Sequence, residues 1–274
     1  MTEYAKSLTP RFIQAGLKHR QLIIKLTQRE VLSRYKGSLI GIFWSFLQPL
    51  LMLAVYTFVF STVFKARWPG NLDERPIGFA INLFAGLIVF ALISECLTKA
   101  PGLVLANPSY VKKIVFPLEV LGYVTVASAL FHAVISALVL ICFELVENGS
   151  ISSTVWMLPL IWFPLILLSL ATTWMLSALG VYLRDVNQAI GSFISMLMFV
   201  SPIFFPLTAL PERWQTILRL NPLAHIIDQT RTIMIAHRHP SLAYIFWGIS
   251  LGMIACEVAF KTFAKAKRGF ADVM

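Results

Sequence analysis

Charge is what this sequence has least of. Only 13% of its 274 residues are Asp, Glu, Lys or Arg, while 58% are hydrophobic; a soluble domain carries about 25% charged residues. The shortage is organised along the chain. No charged residue lies between Lys36 and Lys65, Arg75 and Glu95, Glu119 and Glu144, Glu147 and Arg184, Asp185 and Glu212, or Arg238 and Glu257. A charge at the centre of a bilayer costs ~2.5–3.5 kcal/mol, and each Leu, Ile, Phe or Val returns only ~0.3–0.6. One misplaced charge therefore cancels about six favourable residues, and a charge-free window is the signature of a span. Crossing the hydrocarbon core takes about 20 residues. All six windows are long enough, so the expected class is an all-α integral membrane protein with about six transmembrane helices. Pro159 and Pro164 fall near the start of the fourth window, which reads as one long tilted helix.

Other shortages exclude chemistry. Cys96, Cys142 and Cys256 are the only cysteines and lack paired spacing, which argues against disulfides or a metal site and for small apolar fillers. A membrane enzyme needs ionisable groups gathered within its helices. Here Glu95, Glu119 and Glu257 sit near expected span ends, and His132 is the one histidine near a span centre, where packing is the simpler role. His225, His237 and His239 are loosely grouped without carboxylate or Cys at ligand spacing. No catalytic, cofactor or metal residue is therefore expected, and no midplane carboxylate marks an ion-coupled pump. The phosphate-loop pattern G-x-x-x-x-G-K-[ST] is missing too. If transport by this chain is active, another subunit supplies the energy. The first 37 residues are polar and basic without a long apolar core, so no cleavable signal peptide is expected.

What charge there is has a strong sign and a pattern. The formal net charge is +10, but its placement argues for membrane topology rather than nucleic acid. Segments 1–36, 99–113, 184 and 261–274 hold 16 of the 23 Lys and Arg residues, and the alternate segments 65–75, 144–154 and 207–240 hold seven. The positive-inside rule then places both termini and the second and fourth loops in the cytoplasm. In residues 10–36, Ile13, Leu17, Ile24, Val31 and Tyr35 recur near helical period beside Arg11, Lys18, Arg20, Lys25, Arg29, Arg34 and Lys36. That pattern predicts a helix on the membrane surface, its basic face drawn to anionic lipid.

Three parts follow: a surface segment 1–37, a transmembrane part 38–264 and a basic tail 265–274. Spans are expected at about 38–64, 78–98, 116–143, 154–183, 185–202 and 242–258, with turns at Glu147-Asn148-Gly149-Ser150 and Arg184-Asp185. Two connections are unusual. Residues 100–115 contain Pro101-Gly102, an apolar Leu103-Val104-Leu105-Ala106, then Asn107-Pro108-Ser109-Tyr110 and Lys112-Lys113. Asn-Pro ends a turn, and Ser109 is expected to cap a short helix shaped to be gripped by a partner. Residues 207–240 are too apolar for an ordinary loop and too short for a span. Trp214, Ile217 and Leu218 form one stripe, Asn221-Pro222 breaks the chain, and Ile226, Ile227, Thr230, Ile233 and Met234 form another. Two short helices dipping into the outer leaflet fit, provided protein or water covers their irregular backbone.

Arg34-Tyr35-Lys36-Gly37-Ser38, followed by Gly41, Trp44 and Gln48-Pro49, resembles the start of the first span in permeases of bacterial polysaccharide exporters of the ATP-binding-cassette superfamily. Asn107-Pro108-Ser109-Tyr110-Val111-Lys112-Lys113 with Phe116-Pro117-Leu118-Glu119 resembles their coupling segment. Arg184-Asp185-Val186, then Ser201-Pro202-Ile203-Phe204-Phe205-Pro206 and Asn221-Pro222, complete the pattern in order, over about residues 30–235. The resemblance is somewhat closer to O-antigen and teichoic acid exporters than to capsule exporters. It implies a homodimer in the cytoplasmic membrane, joined by two copies of an ATPase that binds ATP and Mg. The substrate would be an undecaprenyl-linked or other lipid-linked polysaccharide. Asn107, Pro108, Ser109, Tyr110, Lys112 and Lys113 would couple to the ATPase. Residues 1–37 would gate the cytoplasmic side, and 207–240, with Pro202, Pro206, Trp214, Asn221 and Pro222, the far side.

Two further assignments come from position. Arg34, Tyr35 and Lys36 just precede a charge-free window and so stand at the cytoplasmic mouth, where they suit a phosphate-bearing anchor or simply fix topology. Trp44 and Gln48 lie one turn apart on the first span, and Gln188, Ser192 and Ser195 form a polar stripe on the fifth. With Phe199 these are candidate channel-lining residues, helix packing being the plainer reading. The alternatives to a polysaccharide exporter are a drug or lipid exporter permease of the same superfamily and a membrane-embedded glycan enzyme.

Overall fold

The computed structural model of the chain describes residues 9–69, 77–111, 116–149 and 151–273, and among these it is helical throughout, with no strand. The N-terminal segment forms α1 (Arg11–Lys18) and α2 (Arg20–Arg34), separated by a break at His19 where a continuous helix was expected. α1 turns its own face inward through Phe12 and Ala15, whereas Leu17 and Ile24 remain 65% and 56% exposed. Glu257 accepts a hydrogen bond from the Arg11 amide at 2.9 Å, placing a carboxylate at the positive end of the helix.

Five helical segments are long and apolar enough to cross a membrane among the described residues: Gly41–Val63, Ile77–Lys99, Val120–Glu147, Val155–Tyr182 and Leu242–Gly269. The first is α3 (Trp44–Tyr56), entered by a tight turn and continued by a wider π-type turn over Thr57–Val63, with Pro49 inside it. The others are built on α4 (Ile77–Lys99), α6 (Val120–Asn148), α7 (Leu158–Tyr182) and α11 (Leu242–Ala266). The fifth window differs from expectation. Its helix, α8 (Val186–Val200), has 15 residues, about 22 Å at 1.5 Å per residue and short of a ~30 Å core. The chain then leaves helical geometry at Ser201 (φ −89°, ψ 143°) and runs through buried Pro202 and Ile203. Length of window counted residues; Pro202 and Pro206 decide how many of them remain helical.

α4 is the hub, largely buried and packed against α3, α6, α7, α8 and α10 (Pro222–Met234). α11 leans principally on α7 at the edge of the molecule. Toward the basic end Trp174 ties four elements together: its ring meets Phe12, Tyr123 and Phe260 edge-on, and its Nε1 donates to the Glu119 carbonyl at 3.1 Å. The Tyr123 hydroxyl in turn donates to the Phe12 carbonyl. Buried aromatics whose polar atoms are satisfied add burial without an unpaired donor. Cys96 and Cys256 are buried fillers as expected, but Cys142 is exposed on α6.

Candidate functional site: the basic mouth and the two irregular connections

α2 lies along α6 and delivers its C-terminal Arg34 to the end of α4. There Arg34 Nη2 donates to Glu95 Oε1 at 2.5 Å, and Nη1 sits 3.3 Å from both ring nitrogens of His132. Tyr35 Oη is 3.0 Å from His132 Nε2, and burial pushes the Tyr35 hydroxyl above its ordinary pKa, so it stays a neutral phenol at physiological pH. Lys99 completes the cluster, 2.9 Å from Glu30 and 3.1 Å from Glu95. The expected mouth residues Arg34 and Tyr35 are thus tied to Glu95, Lys99 and His132, while Lys36 is exposed beside them. His132 was expected to be a packing residue. It is instead the meeting point of the end of α2 and the helices α4 and α6, because α2 packs along α6 and ends at that level. Sequence spacing alone could not show this: Arg34 and His132 are 98 positions apart.

The second connection leaves α4 as tight turns over 101–106 and re-forms as α5 (Pro108–Val111). Asn107 precedes this short helix and Pro108 opens it, so Ser109 lies inside it rather than capping it. Proline at a first helical position loses no intrahelical hydrogen bond, which is why the start moves to it. Tyr110 stacks on Phe116 with ring centroids 4.1 Å apart, and Arg29 Nη2 donates to its hydroxyl at 2.9 Å. The side chain of Asn107 donates to the Leu103 carbonyl at 2.9 Å, and Pro108 and Ser109 stay exposed. Lys112 and Lys113 lie outside the described residues. Gly180 of α7 is the seat of this segment: a Cβ there would run into the backbone of Pro101, so only glycine allows the approach.

At the opposite end, α9 (Glu212–Leu218) and α10 form the two expected short helices, broken at Asn221-Pro222. Asn221 caps α10 by accepting from the Leu223 amide at 3.0 Å, and donates to Ser201 Oγ at 3.1 Å. Pro202 is buried, Pro206 half-buried, and Trp214 and Ile217 are exposed on α9. The predicted stripe of α10 is buried, yet one buried member is a cation that the apolar pattern passed over. Arg231, 7% exposed, donates to the carbonyls of Asn82 at 2.9 Å, Pro202 at 2.7 Å and Ile203 at 2.7 Å, and its guanidinium lies 4.5 Å from the Trp68 ring centre. Pro202 and Ile203 are where α8 gives way to extended chain, so their carbonyls lack helical partners. A planar fork of donors satisfies them and keeps its charge solvated by dipoles. An arginine inside an apolar stripe, ten residues after a helix-breaking Asn-Pro, was the available signal.

Trp44 and Gln48 share the exposed side of the first span, and Gln188, Ser192, Ser195 and Phe199 are all exposed on α8. α8 buries only Ile190. The two candidate channel helices therefore flank α4 and present wide unpacked surfaces. Ser195 Oγ donates to the Gly191 carbonyl at 3.0 Å, an internal partner that lets a hydroxyl face an apolar environment.

A multi-pass membrane chain with these connections can be set beside known families. Residues 21–235 match the model of the family described as ABC-2 type transporter, most of the chain. The chain belongs to the ABC-2 type transporter family. Among relatives of this ABC-2 transporter, the O-antigen export system permease protein RfbA of Myxococcus xanthus is 24% identical over 264 residues, covering 96% of this chain and 98% of the relative. RfbA of Klebsiella pneumoniae is 26% identical over 258 residues, covering 92% and 95%. The polysialic acid transport protein KpsM of Escherichia coli is 25% identical over 245 residues, covering 88% and 90%. The family match includes all of α2 but its first residue, the mouth cluster, the coupling-like segment and Arg231; α11 and the tail lie beyond it. These relatives are named as permeases and transport proteins, not enzymes.

Proposed function

We propose that this chain is the channel-forming permease of an ATP-driven exporter that moves a lipid-linked polysaccharide, O-antigen-like in type, across the cytoplasmic membrane of a bacterium. The observation that carries the reading is similarity to O-antigen export permeases along nearly the full length of both sequences. Two copies form the path, because in one copy α3, α6 and α7 pack around α4, α11 packs on α7, and the faces of α3 and α8 stay open; a symmetric pair would close them into a wider passage. The basic end is cytoplasmic by the positive-inside rule. A separate ATPase subunit, in two copies, binds ATP and Mg and grips residues 100–115 through Asn107, Pro108, Ser109, Tyr110, Lys112 and Lys113. The Arg29–Tyr110 hydrogen bond then links that segment to α2, and Arg34 links α2 to Glu95 and His132. A push on the coupling segment would reach the mouth through two short contacts. Residues 207–240 form the outer gate, with Arg231 holding α10 to the broken end of α8. Exposed aromatics on α3 and α8 offer flat apolar faces to sugar rings without reading one sugar strictly.

The reading is tested in the source cells. Deleting the gene should abolish one surface polysaccharide and accumulate its lipid-linked form on the inner leaflet, and the wild-type gene should restore it. Normal surface glycan after deletion, with loss of a drug or lipid efflux activity instead, would establish the alternative permease role.

A further inference from the structure

A groove of about 770 Å³ runs along the seam of α7 and α11 and ends at α10 and the turn that follows α9. Its volume lies in the range of ~300–1,000 Å³ typical of small-ligand sites. The floor is set by Pro164, Leu168, Gly248, Gly252 and Ala255, and its lining along α11 runs from Ser241 to Ala255. Fourteen residues of helix is about 21 Å, somewhat more than one leaflet of a ~30 Å core. The floor is apolar, and the polar groups gather at one end: Arg219, His225, Gln229 and Ser241. This is the end away from α1, which packs on the opposite end of α11.

The polar end is organised. A ring nitrogen of His225 donates to the Arg219 carbonyl at 2.7 Å, fastening the end of α9 to α10. Gln229 accepts from the Ser241 amide at 2.8 Å, fastening α10 to the start of α11. Among the described residues the Arg219 guanidinium reaches Gln215 Oε1, at 3.5 Å. Among the described residues no carboxylate lies within ion-pair distance of it, although Asp228 shares the same end and feels its charge.

The geometry points to a lipid-binding site: one glycerophospholipid of the outer leaflet, an acyl chain in the α7–α11 groove and its phosphate on Arg219. In hydrocarbon a groove this size is filled by a chain or by another protein, and an apolar trough with one cation at headgroup level matches an anionic lipid. The groove lies on α11, which makes its principal contacts with α7 and not with the open faces of α3 and α8, so bilayer rather than the proposed partner copy borders it. The inference rests on the membrane placement of α7 and α11, and its outer-leaflet part on the proposed orientation.

Native mass spectrometry of the complex released from bilayers of phosphatidylglycerol and phosphatidylcholine reads the site directly. Each chain should retain one phosphatidylglycerol. Arg219→Gln should lower retention about tenfold, as loss of one charge-assisted hydrogen bond predicts. Ala255→Phe, which fills the trough, should abolish it, and Val134→Phe, on the exposed face of α6, should leave it unchanged. Retention unaltered by Arg219→Gln would overturn the headgroup assignment. An equal loss with Val134→Phe would reduce the lipid to the general annulus and overturn the site. Disulfide crosslinking of Ala243→Cys between two copies would show a second chain in the groove and overturn it as well. Retention is read by mass, so it stands or falls independently of any export assay.

Discussion

Arg231 shows how a single side chain holds an irregular backbone inside a membrane protein. It offers guanidinium donors to three carbonyls, two of them freed where α8 stops. Each buried carbonyl left without a donor costs ~1–3 kcal/mol. Arg231→Met should therefore lower the thermal unfolding midpoint of the purified chain sharply, with a loss on the order of 3–5 kcal/mol. Arg231→Lys restores the charge but not the fork, and should fall between. Equal stability of all three forms would show that these carbonyls find other partners. At the mouth the contrast is between charge and shape. Arg34→Lys keeps the topology signal but not the two-sided contact to Glu95 and His132, so export should drop several-fold while membrane insertion stays normal. Full export in that variant would reduce Arg34 to a positive-inside anchor. Neither cluster could be read whole from the sequence. Arg34 was marked by its place before a charge-free window; Glu95 and His132 were not, because nothing local says that α2 ends beside α6 at that height. Arg231 was hidden by the stripe in which it sits.

The elements divide along similar lines. Long apolar runs make α4, α6, α7 and α11 legible, since lipid forces every backbone group into intrahelical bonds. α8 fell short of its window because prolines, not hydropathy, end it. The break between α1 and α2 at His19 carries no proline, and Gly16 three residues before it sits inside α1, so neither residue marks the break itself. The coupling-like segment was visible as a composition anomaly, and its start moved to Pro108 for a reason of backbone chemistry. Gly180 gives that segment a mechanical test. Gly180→Ala should push the 101–106 turns away from α7, leaving the chain folded but lowering ATP hydrolysis by the bound ATPase subunit. Unchanged hydrolysis and export would show that the position of 101–106 is not transmitted. Reversing both Lys112 and Lys113 to Glu should weaken co-purification with the ATPase, and intact co-purification would remove the two lysines from the interface. On α8, Gln188→Cys, Ser192→Cys and Ser195→Cys, in a chain freed of Cys96, Cys142 and Cys256, should each react with a water-soluble thiol reagent when the exporter is open. Protection of all three in every nucleotide state would take α8 out of the channel.

At the scale of the molecule, one end is basic and the other carries the two short helices, with α4 between them and open flanks on α3 and α8. Charge counting found this polarity, since the cost of burying Lys and Arg sorts them by loop; packing around α4 needed the folded chain. In the proposed function these parts form one path, from a coupling segment moved by the partner ATPase through α2 to the mouth. On that proposal the chain passes a lipid-linked polysaccharide through the membrane at the expense of ATP on a partner. Inverted membrane vesicles carrying this chain, its ATPase and labelled lipid-linked polysaccharide measure that directly, as the fraction of glycan shielded from an added glycosidase. Shielding should rise with ATP, require both subunits and fall in Arg34→Lys. Glycan shielded to the same extent when this chain is omitted would contradict the proposal.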